Sequence, residues 1–428
     1  MTKSARISLN GRDIDLPIIE GTEGELAVDV SKLRAQTGYI TMDPGYANTG
    51  ATKSAITYID GENGILKYRG IPIQELADSA SFLETAYLLI QGDLPNKSEL
   101  DEFVGKITRH TMLHEQLNRF YEGFPREAHP MAICSAVCSA LSGFYPQYLD
   151  PRDEDQVDGA IVRLFAKLPT IAALSFKRSK GQPPTHPDNS LDYASNFLRM
   201  MFATPAEEYV VDEVVARALE LIFILHADHE QNCSTATVRL VGSSLSNLFA
   251  SISAGLDALW GPLHGGANQK VIEMLESIKT GEGSAEEFVN RAKDHKAATR
   301  LMGFGHAVYK SYDPRADIIK NTCHEVIDRL GTTSKLLDIA RDLERIALHD
   351  DYFVSRRLYP NVDYYSGVIM NAIGIPENMF TVIFAIGRLP GWIAHWSEMH
   401  GDADFKIGRP RQIYTGPTNK SFVPIGER

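Results

Sequence analysis

Residues 98–107 read SELDEFVGKI, and the spacing of their apolar side chains decides the fold class. Leu100, Phe103, Val104 and Ile107 fall at i, i+3, i+4 and i+7, one stripe of a 3.6-residue helix. Ser98 is the expected cap at its start. Outward from there the same period returns at 212–226, 233–258, 285–300, 316–330, 334–348, 362–373 and 377–395. Ala132, Ala136 and Ala140 make a stripe of small residues that lets two helix backbones approach closely. GQPPTHP at 181–187, KTGEG at 279–283 and a polar tail from about Gly401 read as loops. Only the beginning differs. ARISLNGRDIDLP at 5–17 alternates Ile7 and Leu9, then Ile14 and Leu16, around Asn10-Gly11, a pair that tolerates positive φ and signals a hairpin. AITYIDGENGILKYRGIPI at 55–73 predicts a second hairpin with a longer loop. The expected fold is mainly α and multi-helical, with a small N-terminal β segment. The chain shows no internal repeat.

The formal charge is −12 over 428 residues, with no basic arm, which argues against nucleic acid as a partner. The four cysteines, Cys134, Cys138, Cys233 and Cys323, make no CxxC pair and no zinc spacing. Thiols in a reducing cytoplasm are the simplest expectation. The start carries no apolar signal core, and no stretch reads as a bilayer span, so no membrane partner is expected.

The chemistry begins at 301–315, LMGFGHAVYKSYDPR, where His306 stands between glycines and a basic loop. WGPLHGGANQ at 260–269 sets His264 before Gly265-Gly266 at the start of a helix. The helix dipole there favours a neutral imidazole, which donates an N–H to a developing oxyanion. Alone, this motif reads equally as a capping histidine. LHADHEQN at 225–232 and HWSEMH at 395–400 suggest metal ligands in His226 and His229, but HExxH is absent, and histidines bonded to backbone or ligand are the better reading. GEGSAEE at 281–287 lacks the preceding strand and third glycine of a dinucleotide loop. LYPNVDYYSGVIM at 358–370 supplies Asp363, in a place where an aspartate is most often an N-cap. Arg388 lies in an apolar helical run, where burial demands an anion, and Arg409 and Arg411 follow near the C-terminus. Arginine forks suit carboxylates. Two histidines, one carboxylate and several arginines, with no covalent nucleophile, make a kit for enolate chemistry on a small multiply charged acid.

LHADHEQNCSTATVR, GPLHGGAN, RLMGFGHAVYKSYDPR, LYPNVDYYSG and FTVIFAIGRLPGWIAHWSEM together resemble the motifs of citrate synthase, over nearly the whole chain. The likeness is to the longer bacterial, hexameric type. It implies a two-domain fold: 1–72 a β-rich segment, 73–266 with 376–428 a large helical domain, and 267–375 a small domain that closes over the site. It implies condensation of acetyl-CoA with oxaloacetate, then hydrolysis of citryl-CoA, with no cofactor and no metal. The CoA thioester is a substrate. Asp363 would be the base, His264 the enolate donor and His306 the donor toward the oxaloacetate carbonyl. His229, Arg315 and Arg388 would hold oxaloacetate, with Arg409 reaching in from the second subunit of a homodimer. Lys310 and Arg300 would contact CoA, and Phe384 the acetyl pocket. TRHTM at 108–112, with Arg109, His110, Thr111 and Met112, together with Tyr145, Arg163 and Lys167, resembles an allosteric NADH site, whose bland reading is a solvated helical face. Ala206 stands where some NADH-sensitive members carry a reactive cysteine. The alternatives are a 2-methylcitrate synthase acting on propionyl-CoA, a metal-dependent hydrolase using His226, His229 and His264, and a non-catalytic scaffold.

Overall fold

The computed structural model describes residues 3–281, 283–294, 299–331 and 335–428. The chain forms two compact units, Met1–Ser54 and Ala55–Arg428. In the first, Ser4–Leu9 pairs antiparallel with Arg12–Glu20, which pairs in turn with Leu26–Val28. Asn10 and Gly11 both take positive φ at the first turn, as the hairpin reading requires. Ile14, Leu16 and Leu33 make its small core.

The second unit opens with the sheet Thr57–Asp60, Ile65–Tyr68 and Ile71–Pro72, then turns entirely helical apart from isolated bridges. Helix Lys97–Thr108 is capped by Asn96, whose side chain accepts from the N–H groups of Ser98 and Glu99. Ser98 is therefore inside the first turn and not its cap, because Asn96 and Glu99 complete a capping box one step earlier. The stretch 233–258 is two helices, Cys233–Gly242 and Leu248–Trp260. Leu245 at φ 64° breaks the run, and Asn247 restarts it by accepting from Ala250 N–H. The helix expected over 285–300 is Ala285–Lys293, with 295–298 outside the described residues.

Helix Glu154–Ser179 is long and apolar enough to cross a bilayer by length and composition, contrary to the sequence reading. Its apolar window is 89% buried inside the unit, so it is a core helix. Helix Pro130–Phe144 packs on Leu248–Trp260 through Ser135, Cys138 and Ser142, while Ala132, Ala136 and Ala140 stay half-exposed. The alanine stripe thus faces away from that neighbour. Cys134, Cys138 and Cys323 are buried thiols, and burial pushes Cys134 and Cys323 up to about 12.

Three local features shape the site. Helix Glu213–His226, capped by Asp212, ends where Ala227–Asn232 turns into helix Cys233–Gly242. Long helix Phe380–Gly401 passes behind that turn and continues through Pro390. Gly391 donates to Ala227 O at 3.0 Å, and a Cβ at Gly391 would stand 2.3 Å from Asp228 Oδ1, so only glycine lets the helix lie this close. The third feature is the glycine turn before His306. Gly303 and Gly305 both have φ 77°, which L side chains resist, and a Cβ on Gly303 would meet Val271 and Tyr364. The glycines fold the loop tightly and do not hold the histidine in the open.

Candidate active site

Asn361 ties the glycine turn to the helix bearing Asp363. Its N–H donates to Gly303 O and its side-chain amide to Gly305 O, both at 2.9 Å. Its Oδ1 accepts from Asp363 N–H, which makes Asn361 the N-cap of helix Val362–Ala372. Asp363 is therefore not the cap. Its carboxylate is free for other work, 19% exposed, with no hydrogen-bond donor among the described residues. Asp313 joins the same hub. Its carboxylate forks onto Arg315 at 3.0 and 2.9 Å and accepts from Val362 N–H at 3.1 Å. Burial works against the Asp313 charge, yet the Arg315 guanidinium holds the carboxyl below its ordinary range.

The two catalytic candidates among the histidines are fixed by backbone N–H groups. Ser234 N–H donates to His264 Nε2 at 3.2 Å, and Ser234 Oγ lies 2.8 Å from the same nitrogen. A backbone N–H cannot accept, so Nε2 carries the lone pair and Nδ1 the hydrogen. Val308 and Tyr309 N–H groups donate to His306 Nδ1 at 3.0 and 3.3 Å, which leaves Nε2–H as the free donor. Burial, with Arg388 beside one ring and Arg315 beside the other, pulls both imidazoles down to about 4. Each is a neutral N–H donor at pH 7. For His264 the largest cause of the lowering is burial, followed by the Arg388 guanidinium, with Asp363 acting the other way. Asp363 Oδ1 lies 4.0 Å from His226 Nε2, and Phe384 packs against both His226 and His264, which groups the carboxylate with these rings.

The cations converge on the same space. Arg388 is 2% exposed, its Nε donates to His226 O at 2.6 Å, and its guanidinium lies 4.8 Å from the Phe384 ring centre. Neighbouring carboxylates are engaged elsewhere: Asp228 with His395, Asp313 with Arg315. Arg388 is thus a buried charge without a carboxylate partner among the described residues, the condition that calls for an anionic ligand. Arg315 is 3% exposed, and its Nη1 donates to Leu225 O. His229 Nε2 is buried without a partner among the described residues, and burial, followed by the nearby cations Arg315 and Arg388, drives that imidazole well down. The His229 ring centre lies 5.1 Å from that of His306. Phe384 packs between His226 and His264, with ring centres at 4.8 and 6.3 Å.

Other candidates lie apart from this cluster. Lys310 is exposed with Nζ donating to Ala307 O, Arg300 is exposed, and Arg409 sits in the extended, exposed tail. His226 and His229 do not share a helical face, because the helix ends at His226. Among the described residues no three His, Cys, Asp or Glu side chains gather as a metal would need. Lys167 is buried and donates to His110 O and Met112 O, while Thr170 donates to Thr111 O. Arg163 stacks on Tyr148 at 4.4 Å, with Tyr145 next to it. Lys167 therefore meets the Arg109–Met112 segment, with the Tyr145 ring 5.3 Å from its ammonium, and two of its three hydrogens are given to backbone carbonyls. The sequence reading missed Ser234, Asn361 and Trp392, whose Nε1–H donates to Ser234 Oγ at 3.0 Å. Asn232 and Asn361, each just before a helix, were the local cap signals that pointed to the first two.

Buried arginines, neutral imidazoles and a free carboxylate make this an enzyme-like site suited to a small anionic acid. Comparison with known proteins gives the family. The profile of the citrate synthase C-terminal domain matches residues 45–411. The chain is 57% identical over 425 residues to citrate synthase 1 of Mycobacterium tuberculosis, covering 99% of each chain. It is 54% identical over 419 residues to citrate synthase of Corynebacterium glutamicum, covering 98% of this chain and 96% of that one. Among solved structures, citrate synthase from Pyrobaculum aerophilum superposes with TM-score 0.82 at 33% identity, covering all of both chains. The ternary complex of carboxymethyl coenzyme A and oxaloacetate with citrate synthase from Thermoplasma acidophilum gives 0.82 at 30% identity, covering 91% of this chain and all of that one. The chain belongs to the citrate synthase family. Its activity is that of a citrate synthase, an acyl transfer in which the acyl group becomes alkyl.

Proposed function

We propose that Asp363 takes a methyl proton from acetyl-CoA while His264 Nδ1–H stabilises the enolate oxygen. The C–H electron pair moves into the enolate, whose carbon attacks the keto carbon of oxaloacetate. His306 Nε2–H donates to that carbonyl oxygen as it gains charge. Water then cleaves the citryl-CoA thioester to citrate and CoA. Arg388, Arg315 and His229 hold the oxaloacetate carboxylates, and Phe384 lines the acetyl pocket. The observation that carries this reading is the pair of imidazoles that backbone N–H groups lock as neutral donors around one carboxylate. Preorganised donors of this type are each worth about 100- to 1000-fold in rate.

Residues 267–375 form the small domain, and its closure on oxaloacetate excludes water and brings Asp363 onto the substrate. Asp363, His306 and Arg315 lie in that span, while His229, His264 and Arg388 lie outside it. Arg409 completes the site of a second copy. The exposed tail with Ile407, Tyr414 and Phe422, and the half-exposed stripe at Ala132, Ala136 and Ala140, support a homodimer. Lys310 and Arg300 meet the CoA phosphates. A hexamer of such dimers, acting in the cytoplasm and inhibited by NADH at Tyr145, Arg163 and Lys167, extends the same reading. A flat activity curve across rising NADH at low salt removes the effector.

Thiol release with acetyl-CoA and with propionyl-CoA, each with and without oxaloacetate, tests the whole. Release with acetyl-CoA that requires oxaloacetate is expected, and Asp363→Asn should bind oxaloacetate yet lose most turnover. Near-wild-type turnover in that variant sinks the assignment of the base.

A further inference from the structure

His226 is the last residue of helix Glu213–His226 and is 2% exposed. Nδ1–H donates to Ile222 O at 2.7 Å, which fixes the ring on its own helix. Its carbonyl receives Arg388 Nε, and its ring meets Phe384 edge-on. The remaining polar atom, Nε2, is buried and has no hydrogen-bond partner among the described residues. Leaving such an atom unpaired costs about 1–3 kcal/mol, so a protein that keeps one there needs a reason. The reason stands opposite: Asp363 Oδ1 lies 4.0 Å from Nε2. That is about 1 Å beyond hydrogen-bond range. Neither atom has another hydrogen-bond partner among the described residues.

We propose that His226 is the positioning residue for Asp363, its Nε2–H donating to Oδ1 once helix Val362–Ala372 moves the last ångström toward helix Glu213–His226. The inference rests on Asp363 being the base. A carboxylate turns about its Cβ–Cγ bond unless one oxygen is held. Held through Oδ1, Asp363 presents Oδ2 to the methyl group. With Nδ1–H committed to a carbonyl, Nε2 donates only from an imidazolium, and the Asp363 carboxylate balances that charge. The other charged or titratable groups around the ring are Arg388 on helix Phe380–Gly401, Asp228 and His229 on the following turn, His264, and His306 with Arg315. The same residue thus ties substrate capture, through its carbonyl and Arg388, to alignment of the base, through its ring.

Three substitutions separate the ring atoms. His226→Asn keeps a donor near the Nδ1 position and removes the one at Nε2. His226→Gln and His226→Met both lose the Nδ1 anchor, have similar length, and differ in whether their end group donates. Turnover is read by thiol release, and proton abstraction by the deuterium isotope effect with methyl-deuterated acetyl-CoA. The expected result is a loss of at least about tenfold in kcat for Asn and Met, with oxaloacetate affinity within about twofold and a raised isotope effect. Gln should recover about tenfold over Met. Gln and Met equal in kcat and isotope effect, or an Asn variant turning over within twofold of wild type, overturns the proposal. Asp363→Asn run beside them keeps the two readings distinct. If it stays active, the base assignment fails; if it is inactive while Gln matches Met, only the role of His226 fails.

Discussion

Replacing Arg388 with methionine should make the free protein more stable and remove its hold on oxaloacetate. The guanidinium is 2% exposed on a helix of mostly buried apolar residues, with one hydrogen bond to His226 O. Burial lowers its pKa from the ordinary guanidinium value to about 10, with Asp228 pulling the other way. That drop corresponds to about 3 kcal/mol acting against the charged form in the fold. The sign follows from linkage. A cationic group depressed by folding destabilises at every pH below its folded value, and the effect is relieved only as pH climbs from about 10 toward the ordinary guanidinium value. At neutral pH it is fully present. Methionine fills similar space without charge and forgoes one hydrogen bond worth about 1 kcal/mol. The expected gain is roughly 2 kcal/mol without ligand. In the wild type, oxaloacetate should supply the missing anion and raise the unfolding midpoint by mass action. Urea unfolding of both proteins at one protein concentration, with and without oxaloacetate, reads each effect. A methionine variant that unfolds earlier than wild type, or whose midpoint still moves with oxaloacetate, refutes the argument.

Ser234→Ala should lower kcat about tenfold with little change in oxaloacetate affinity, because His264 keeps the backbone donor to Nε2 but loses the hydroxyl beside it. Steady-state thiol release reads it, and an unchanged kcat contradicts the role given to Ser234. His264 and His306 stay neutral down to about 4, whereas an unfolded histidine titrates near 6.5, so the unfolded chain binds more protons between these values. Stability is full above 6.5 and falls as pH drops toward 4, by about 3 kcal/mol per ring at most; His306→Asn should flatten that slope in unfolding curves taken from pH 7 to 4.5. Arg409→Ala should weaken oxaloacetate binding, and mixing it with Asp363→Asn should restore part of the activity if two copies share each site. No recovery after subunit exchange means that each copy is complete without the other's tail.

What could be read in advance was what neighbours along the chain decide. Leu100, Phe103, Val104 and Ile107 needed only the helical period, and Asn10-Gly11 only the left-handed region, so both were legible. The break at Leu245 was not, because a leucine at positive φ is a conformation its own preferences oppose and the surrounding packing imposes. The site divides the same way. The motifs named His264, His306, Asp363, Arg315 and Arg388 by resemblance, and residue type suggested their chemistry.

The sequence by itself determined which stretches are helical, where the first hairpin turns, and which side chains are equipped for proton transfer and carboxylate binding, since these follow from local sterics and functional groups. Only the tertiary structure decided that Asn361 caps the helix and frees Asp363, that Ser234 locks the tautomer of His264, and that His226 faces Asp363. Those outcomes depend on atoms brought together from segments far apart in the chain, and no local preference encodes a distance between them.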